Sequence, residues 1–152
     1  MSICQTVIYS IITMLKLYDT TLRDGTQAED IAFSVEDKVR IAQRLDALGI
    51  HYIEGGWPGS NPRDIEFFKA MRRERLLSAR LVSFGPTRRS GIKAKDDPNL
   101  KALVSSGAGA VTVFGKSWRL HVSKALRVSM DENLEMIFDT VGYLKKRTGE
   151  VI

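Results

Sequence analysis

Cysteine and long hydrophobic runs are scarce in this sequence. The single cysteine, Cys4, in a chain of 152 residues excludes a disulfide framework and fits a reducing compartment. The apolar stretch 7–12 is too short to span a membrane. No basic segment precedes it and no small-residue cleavage site follows it, so it is not typical of a signal peptide. Without a targeting signal, we expect a cytoplasmic location.

The overall composition is that of a soluble globular domain. Hydrophobic residues make up 43% and charged residues 27%, and the length suffices for one domain with a buried core. Lys and Arg outnumber Asp and Glu by 23 to 18, which gives a net charge of +5. The basic patches at 72–75 and 88–89 lack the aromatic residues of a single-strand binding platform. We therefore expect no nucleic-acid or membrane partner, and an anionic metabolite is the ligand that this charge favours.

Strand and helix patterns alternate along the chain. Short apolar strands are predicted at 15–18, 50–56, 79–84 and 110–114, and the start of a fifth at 150–152. Helices are predicted to begin after four capping residues: Ser34, Asn61, Asp97 and Ser129. This alternation indicates a parallel α/β sheet covered by helices. About four βα units are present, whereas a closed (β/α)8 barrel needs roughly 250 residues. A half-barrel and a flavodoxin-like open sheet both remain possible.

Two helices carry clear apolar stripes, which predict the side chains that face the core. The second helix has Ile65, Phe68 and Met71 at helical spacing. In the last helix the predicted stripe is longer: Leu134, Ile137, Phe138, Val141 and Leu144.

Arg23 and Asp24 follow the first strand, where Gly25 is expected to break it. A guanidinium beside a carboxylate is costly to bury, so the pair should face a polar pocket at the carboxyl end of the sheet. The alternative is a salt bridge that only closes a turn. Glu54 ends the second strand in the same way, so we expect it in the same pocket, paired with Arg23 or acting beside it.

The stretch 19–27, Asp-Thr-Thr-Leu-Arg-Asp-Gly-Thr-Gln, resembles the opening signature of the DRE-TIM metallolyases. This family includes isopropylmalate, citramalate and homocitrate synthases and hydroxymethylglutaryl-CoA lyases. The stretches 52–62, 83–89 and 113–118 are similar to its motifs on the second, third and fourth strands. The triplets 25–27 and 56–58 resemble the citramalate synthase variant, because isopropylmalate synthases usually carry Glu where Thr26 stands.

The resemblance implies a fold and a domain assignment. Residues 15–152 are expected to form the N-terminal half of a TIM-barrel catalytic domain, a partial (β/α)8 barrel with about its first four βα units and parallel strands. Residues 1–14 have no counterpart in the family pattern and are interpreted as an unassigned leader.

The resemblance also implies roles for individual residues. In the family the Arg of the signature stabilises enolate oxygen and the Asp binds a divalent metal, Mg²⁺ or Mn²⁺, which suits oxygen ligands. The predicted site is therefore as follows: catalytic Arg23 and Glu54, metal ligand Asp24, and substrate-binding Gln27, Ser117 and His121. A solvated amide is an equally open interpretation of Gln27.

The implied reaction is a Claisen-type condensation of acetyl-CoA with a 2-oxo acid, pyruvate for a citramalate synthase. The alternatives are an isopropylmalate synthase-like enzyme that uses a longer 2-oxo acid, and a non-catalytic half-barrel that self-associates. Family members complete the metal site with a His-x-His pair, which this sequence with its two histidines lacks. The chain alone is therefore expected to be inactive, and the full-length enzyme is expected to be a homodimer.

Overall fold

The computed structural model describes residues 15–152, and the predicted leader at 1–14 lies outside this range. The strands are β1 (Tyr18–Asp19), β2 (Tyr52–Gly56), β3 (Arg80–Pro86) and β4 (Ala110–Phe114). The helices are α1 (Val35–Ala47), α2 (Pro62–Met71), α3 (Pro98–Ser105) and α4 (Met130–Lys145). A 3₁₀ turn (Gly25–Gln27) follows β1, and a π-helical turn (His121–Leu126) precedes α4. Across residues 15–152, no helix combines the length and apolarity needed to cross a membrane.

The four strands pair in parallel in the order β1-β2-β3-β4. A parallel bridge between Val111 and Val151 adds the start of a fifth strand beside β4. A flavodoxin-like sheet has its first strand between the second and third, whereas among the strands of residues 15–152 β1 pairs only with β2. The sequential order therefore confirms the predicted α/β fold with the first βα units of a barrel.

Each helix begins at the predicted capping residue. Ser34 and Asp37 form a reciprocal capping box at the start of α1. The hydrogen bond from the Ser34 hydroxyl, followed by the one from Arg40, lowers the pKa of Asp37 to about 2. Side-chain oxygens cap the other three helices by accepting backbone N–H groups: Asn61, Asp97 and Ser129.

The helices cover one face of the sheet and bury two apolar clusters there. The first cluster contains Leu22, Ala42, Ile53, Phe67, Phe68 and Met71. The second contains Ala94, Leu100, Leu103, Val111 and Leu144. These side chains form the core that holds the loops at the carboxyl ends of the strands.

The predicted stripe of α2 is wrong at one position. Phe67 is fully buried in place of Ile65, which is 39% exposed. The reason lies in β2, where a side chain at Gly55 would collide with the Phe67 ring. The glycine therefore makes room for the phenylalanine, a relationship between two elements that helical spacing cannot show.

The predicted stripe of α4 is also wrong in part. Leu144 is buried, but Leu134 and Phe138 are 63% and 81% exposed. The buried face carries two polar residues, Asn133 and Thr140, besides the apolar Met136 and Leu144. Since α4 has two apolar faces, spacing alone could not choose between them.

The first strand differs from the prediction as well. Leu15 and Leu17 are exposed rather than buried. The strand ends at Asp19, whose carboxylate accepts the Thr21 backbone N–H at 3.0 Å and so starts a turn. Gly25 therefore does not break the strand, because five residues separate it from Tyr18–Asp19.

The second strand contains Gly55 and Gly56 and ends at the predicted position. The register between β2 and β3 shifts between Glu54 and Gly56, so Gly55 is the extra residue of a bulge. Bulges of this kind redirect neighbouring side chains and are frequent next to active sites. Here the bulge follows Glu54 directly.

Candidate active site

A tight turn after β1 presents Arg23 to the face of the sheet opposite the helices of residues 15–152. The Thr20 carbonyl accepts backbone N–H groups from Arg23 at 3.1 Å and Asp24 at 2.8 Å. Leu22, fully buried in the first core cluster, anchors the turn from the opposite side. The pair lies in this turn, four residues beyond the end of the strand and not at the strand end itself as predicted.

Arg23 joins both predicted carboxylates. Its Nε donates to Glu54 Oε1 at 2.5 Å, and its Nη1 donates to Asp24 Oδ1 at 2.8 Å. The Glu54 side chain is 2% exposed, that of Arg23 19% and that of Asp24 59%. Glu54 is therefore the buried anchor, Arg23 reaches from it toward solvent, and Asp24 lies at the rim. No described residue accepts a hydrogen bond from Arg23 Nη2.

The sequence analysis missed two residues near Glu54: Tyr18, which donates a hydrogen bond to Glu54, and Thr112, which shares a hydrogen bond with Tyr18. The Tyr18 hydroxyl donates to Glu54 Oε2 at 2.5 Å and lies 2.6 Å from Thr112 Oγ1. Burial, and then the hydrogen bond to Glu54, raise the pKa of Tyr18 well above its usual value. The available signals were a hydroxyl within the apolar strand β4 and a tyrosine directly before the signature.

Aromatic side chains form the floor beneath Arg23. The Arg23 guanidinium carbon lies 4.0 Å from the centroid of the Phe84 ring, a cation–π contact. Phe84 stacks on Phe114 with centroids 5.1 Å apart and an interplanar angle of 13°. Trp57 meets both rings edge-on at 6.2 Å. The guanidinium is thus fixed from below as well as from Glu54.

The loop that carries Trp57 is held by a buried ion pair. Lys38 Nζ lies 2.6 Å from Asp64 Oδ1, and Asp64 Oδ2 accepts the Trp57 backbone N–H at 2.8 Å. Burial lowers the pKa of Lys38, and Asp64 opposes that shift. Gly56 has φ +145°, and a side chain there would overlap the Asp64 carboxyl. Glycine at position 56 is therefore required by the local geometry.

Three predicted substrate-binding residues make no described contact with Arg23 or Glu54. Gln27 lies in the 3₁₀ turn with its side chain exposed. Ser117 lines a groove of about 700 Å³ beside α4. His121 is exposed and packs against Trp118 with ring centroids 4.6 Å apart. Their role in substrate binding stays a prediction.

A cavity of about 360 Å³ adjoins the aromatic floor and shares Trp57 and Phe114 with it. Three cationic residues line it: Arg88, Arg89 and Lys116. Arg88 is buried and paired with Asp139 at 2.9 Å and Glu132 at 3.3 Å. Arg23 and Glu54 do not line this cavity, so their cluster lies beside it on the other side of the aromatic floor.

Asp24 alone does not make a metal site. Across residues 15–152, no group of three His, Cys, Asp or Glu side chains is close enough to hold a metal ion. Asp24 supplies one carboxylate at the rim, with one oxygen bound to Arg23. A catalytic metal generally has about three protein ligands, so the residues described here do not fit a complete divalent-metal site.

The fold and the cluster define an α/β enzyme domain with its polar groups at the carboxyl ends of parallel strands. The model of the HMGL-like family matches residues 14–152. The chain therefore belongs to the HMGL-like family.

Citramalate synthases are similar to nearly all of the described chain. The (R)-citramalate synthase of Geobacter sulfurreducens is 58% identical over 139 residues, which cover 91% of this chain and 26% of that enzyme. The (R)-citramalate synthase of Aquifex aeolicus is 52% identical over 136 residues, which cover 90% of this chain and 26% of that enzyme. A 2-isopropylmalate synthase of Shouchella clausii is 31% identical over 133 residues, covering 88% and 25%. The chain thus spans about a quarter of the length of the relatives it matches.

The solved structures support the same fold. A hydroxymethylglutaryl-CoA lyase from Pseudomonas aeruginosa matches with a TM-score of 0.68 at 22% identity, covering 90% of this chain and 44% of the lyase. The HMG-CoA lyase of Bacillus subtilis matches with a TM-score of 0.65 at 22% identity, covering 87% of this chain and 43% of the lyase. The described sheet therefore corresponds to the first part of this barrel.

Proposed function

We propose that residues 15–152 are the N-terminal half of a catalytic barrel that condenses acetyl-CoA with pyruvate to give citramalate. The observation that carries this proposal is the presentation of Arg23. Its guanidinium is held by Glu54 and Phe84, and Nη2 has no acceptor among the described residues. The higher identity to citramalate synthases than to an isopropylmalate synthase favours pyruvate over a longer 2-oxo acid.

The chemistry assigned to this chain is charge stabilisation. In the condensation, a base removes a proton from the methyl carbon of acetyl-CoA, this carbon attacks the keto carbon of the 2-oxo acid, and the resulting alkoxide takes up a proton. Water then hydrolyses the thioester, which releases CoA and the carboxylate product. Negative charge develops on oxygen in the proton removal and in the attack, and a fixed cation stabilises it more in the transition state than in the ground state. Arg23 supplies that cation, and Glu54 acts in the pocket by holding it. Gln27, Ser117 and His121 are the proposed contacts to substrate from the surrounding loops.

A divalent metal, Mg²⁺ or Mn²⁺, belongs to the proposal for the complete enzyme, with Asp24 as one ligand. Such an ion would supply Lewis-acid chemistry, which the described residues do not provide. Since the described residues bring no three potential ligands together, the other ligands must come from elsewhere. Because the metal site needs these further ligands, the complete enzyme is the proposed active form. We propose that it is a cytoplasmic homodimer.

A chimera tests the proposed function directly. Residues 14–152 replace the matched segment of the Geobacter sulfurreducens (R)-citramalate synthase, to which they are 58% identical. We expect CoA release from acetyl-CoA and pyruvate in the presence of Mn²⁺, and background rates for the 152-residue chain alone. A folded chimera that releases CoA with a longer 2-oxo acid but not with pyruvate favours the isopropylmalate synthase-like alternative.

Self-association is a second candidate property, favoured by one apolar surface. Leu134 and Phe138 are exposed on α4 beside the groove of about 700 Å³. Exposed apolar residues next to an unpaired strand edge favour association between copies. The non-catalytic half-barrel is thus the alternative if the chimera is inactive.

A further inference from the structure

The Glu54 carboxylate is held at both oxygens, and this has a consequence for Arg23. Oε1 accepts from Arg23 Nε at 2.5 Å, and Oε2 accepts from the Tyr18 hydroxyl at 2.5 Å. Glu54 is only 1% exposed, so water does not compete for either oxygen. A carboxylate engaged on both sides cannot rotate without losing a hydrogen bond, and the guanidinium bound to it takes its direction from it.

We propose that Tyr18 is a positioning residue for Arg23. The hydrogen-bond chain Thr112–Tyr18–Glu54 fixes the Glu54 carboxylate, and the carboxylate fixes the direction in which Arg23 presents Nη2. The geometric part of this proposal stands on the distances alone, and its effect on turnover rests on the proposed function.

The donors in the chain follow from the hydrogens available. A tyrosine hydroxyl has one hydrogen, and an ionised carboxylate can only accept. The Tyr18 hydrogen therefore goes to Glu54, and Thr112 donates its own hydrogen to the Tyr18 oxygen at 2.6 Å. Because burial raises the pKa of Tyr18, the hydroxyl keeps its proton at neutral pH and remains a donor.

The other contacts of Arg23 cannot replace this anchor. Asp24 is 59% exposed at its side chain, so water competes for its bond to Nη1. Phe84 supports the guanidinium from below at 4.0 Å but does not fix its rotation in the ring plane. Glu54 is the buried acceptor that fixes this rotation, and Tyr18 is the second hydrogen-bond partner of Glu54.

The test uses the 152-residue chain labelled with ¹⁵N, in which the Arg23 Nε–H signal is assigned by its loss in Arg23→Lys. We expect Tyr18→Phe to speed exchange of this hydrogen with water by about tenfold, as the loss of a hydrogen bond to a charged group predicts. Tyr143→Phe is the matched control, since the Tyr143 hydroxyl bonds no described residue and its ring packs on Arg147. Equal exchange in the two variants overturns the proposal.

A second variant separates positioning from folding. Thr112→Val keeps the side-chain shape and removes only the donor to Tyr18, so it should speed the same exchange by a smaller factor while urea unfolding stays close to wild type. If Tyr18→Phe does not fold, unchanged exchange in Thr112→Val overturns the proposal. A purely structural role changes the unfolding midpoint and leaves the native-state Arg23 signal where it was.

The kinetic arm uses the chimera. Tyr18→Phe should lower kcat by about 100-fold with a much smaller change in KM for pyruvate, because a misdirected group costs mainly the chemical step. A chimera without any turnover counts against the proposed function, and the exchange measurement then decides the positioning role by itself.

Discussion

Tyr18 on the first strand and Thr112 on the fourth share a hydrogen bond of 2.6 Å between their hydroxyl oxygens. In a flat sheet, strands one and four are separated by three spacings of about 4.8 Å each, too far for this contact. The sheet must therefore curve toward the face that carries Arg23 and Glu54. The helices cover the other face, so the arrangement is that of a barrel wall seen from inside.

The buried pair of Lys38 and Asp64 should dominate the stability of the Trp57 loop. Asp64→Ala leaves the Lys38 ammonium buried without a partner, and we expect a loss of about 3–5 kcal/mol in the free energy of unfolding. Glu66→Ala on the same helix is the control, since Glu66 pairs with Lys69 in solvent and such pairs contribute about 0–1 kcal/mol. Urea unfolding with equal losses in both variants contradicts the assignment.

Asp46 should make stability depend on acidic pH. Burial tends to raise the pKa of Asp46, but backbone N–H groups of Leu77, Ala79 and Ser78 outweigh it and hold the pKa below the usual value. The contribution is therefore fully present above the unfolded-state pKa of about 3.9 and is lost as the pH falls through the lower folded-state pKa.

Asp46→Asn measures that contribution. At pH 7 it should lose about 1–3 kcal/mol, the cost of leaving buried donors without a good acceptor. The difference from wild type should shrink below pH 4, whereas exposed Asp96→Asn should show little difference at any pH. If the difference in the free energy of unfolding between Asp46→Asn and wild type stays constant down to pH 2, the role assigned to Asp46 is contradicted.

Gly56 should tolerate no side chain. Its φ of +145° and the adjacent Asp64 carboxyl leave no room, so Gly56→Ala should unfold at a clearly lower urea concentration. Gly142 in α4 has open space around it, and Gly142→Ala should gain up to about 1 kcal/mol from helix propensity. Thermal unfolding that ranks the two variants in the opposite order contradicts the loop geometry.

The exposed face of α4 should make the isolated chain self-associate. Replacing Leu134 and Phe138 by Lys should shift the species seen by light scattering toward the monomer. Leu77→Lys is the control, because Leu77 is 83% exposed at a different place in the fold. A monodisperse wild-type species of 17 kDa with cooperative unfolding argues against association.

Local chemistry made some parts of this fold predictable. The caps at Ser34, Asn61, Asp97 and Ser129 and the alternation of strands and helices depend on neighbours in sequence, and the structure has them where they were predicted.

Contacts between residues far apart in the sequence could not be predicted from local patterns. Tyr18 and Thr112 are 94 positions apart, and neither carries a charge that draws attention to it. The two apolar faces of α4 are a further example, because only the packed structure shows which face is covered. The expected pairing of Glu54 with Arg23 is present, because Glu54 lies on β2, Arg23 follows β1, and these two strands pair as neighbours.

The measurement that tests the account most directly is CoA release by the chimera carrying Arg23→Lys. Lys has one side-chain nitrogen, so an ammonium that bonds Glu54 cannot also place a donor where Nη2 lies, and we expect kcat with acetyl-CoA and pyruvate to fall by about 10²–10³-fold. Arg89→Lys, at an exposed residue beside the neighbouring cavity, should leave the rate nearly unchanged. Turnover by the Arg23→Lys chimera equal to that of the Arg89→Lys chimera would contradict the account.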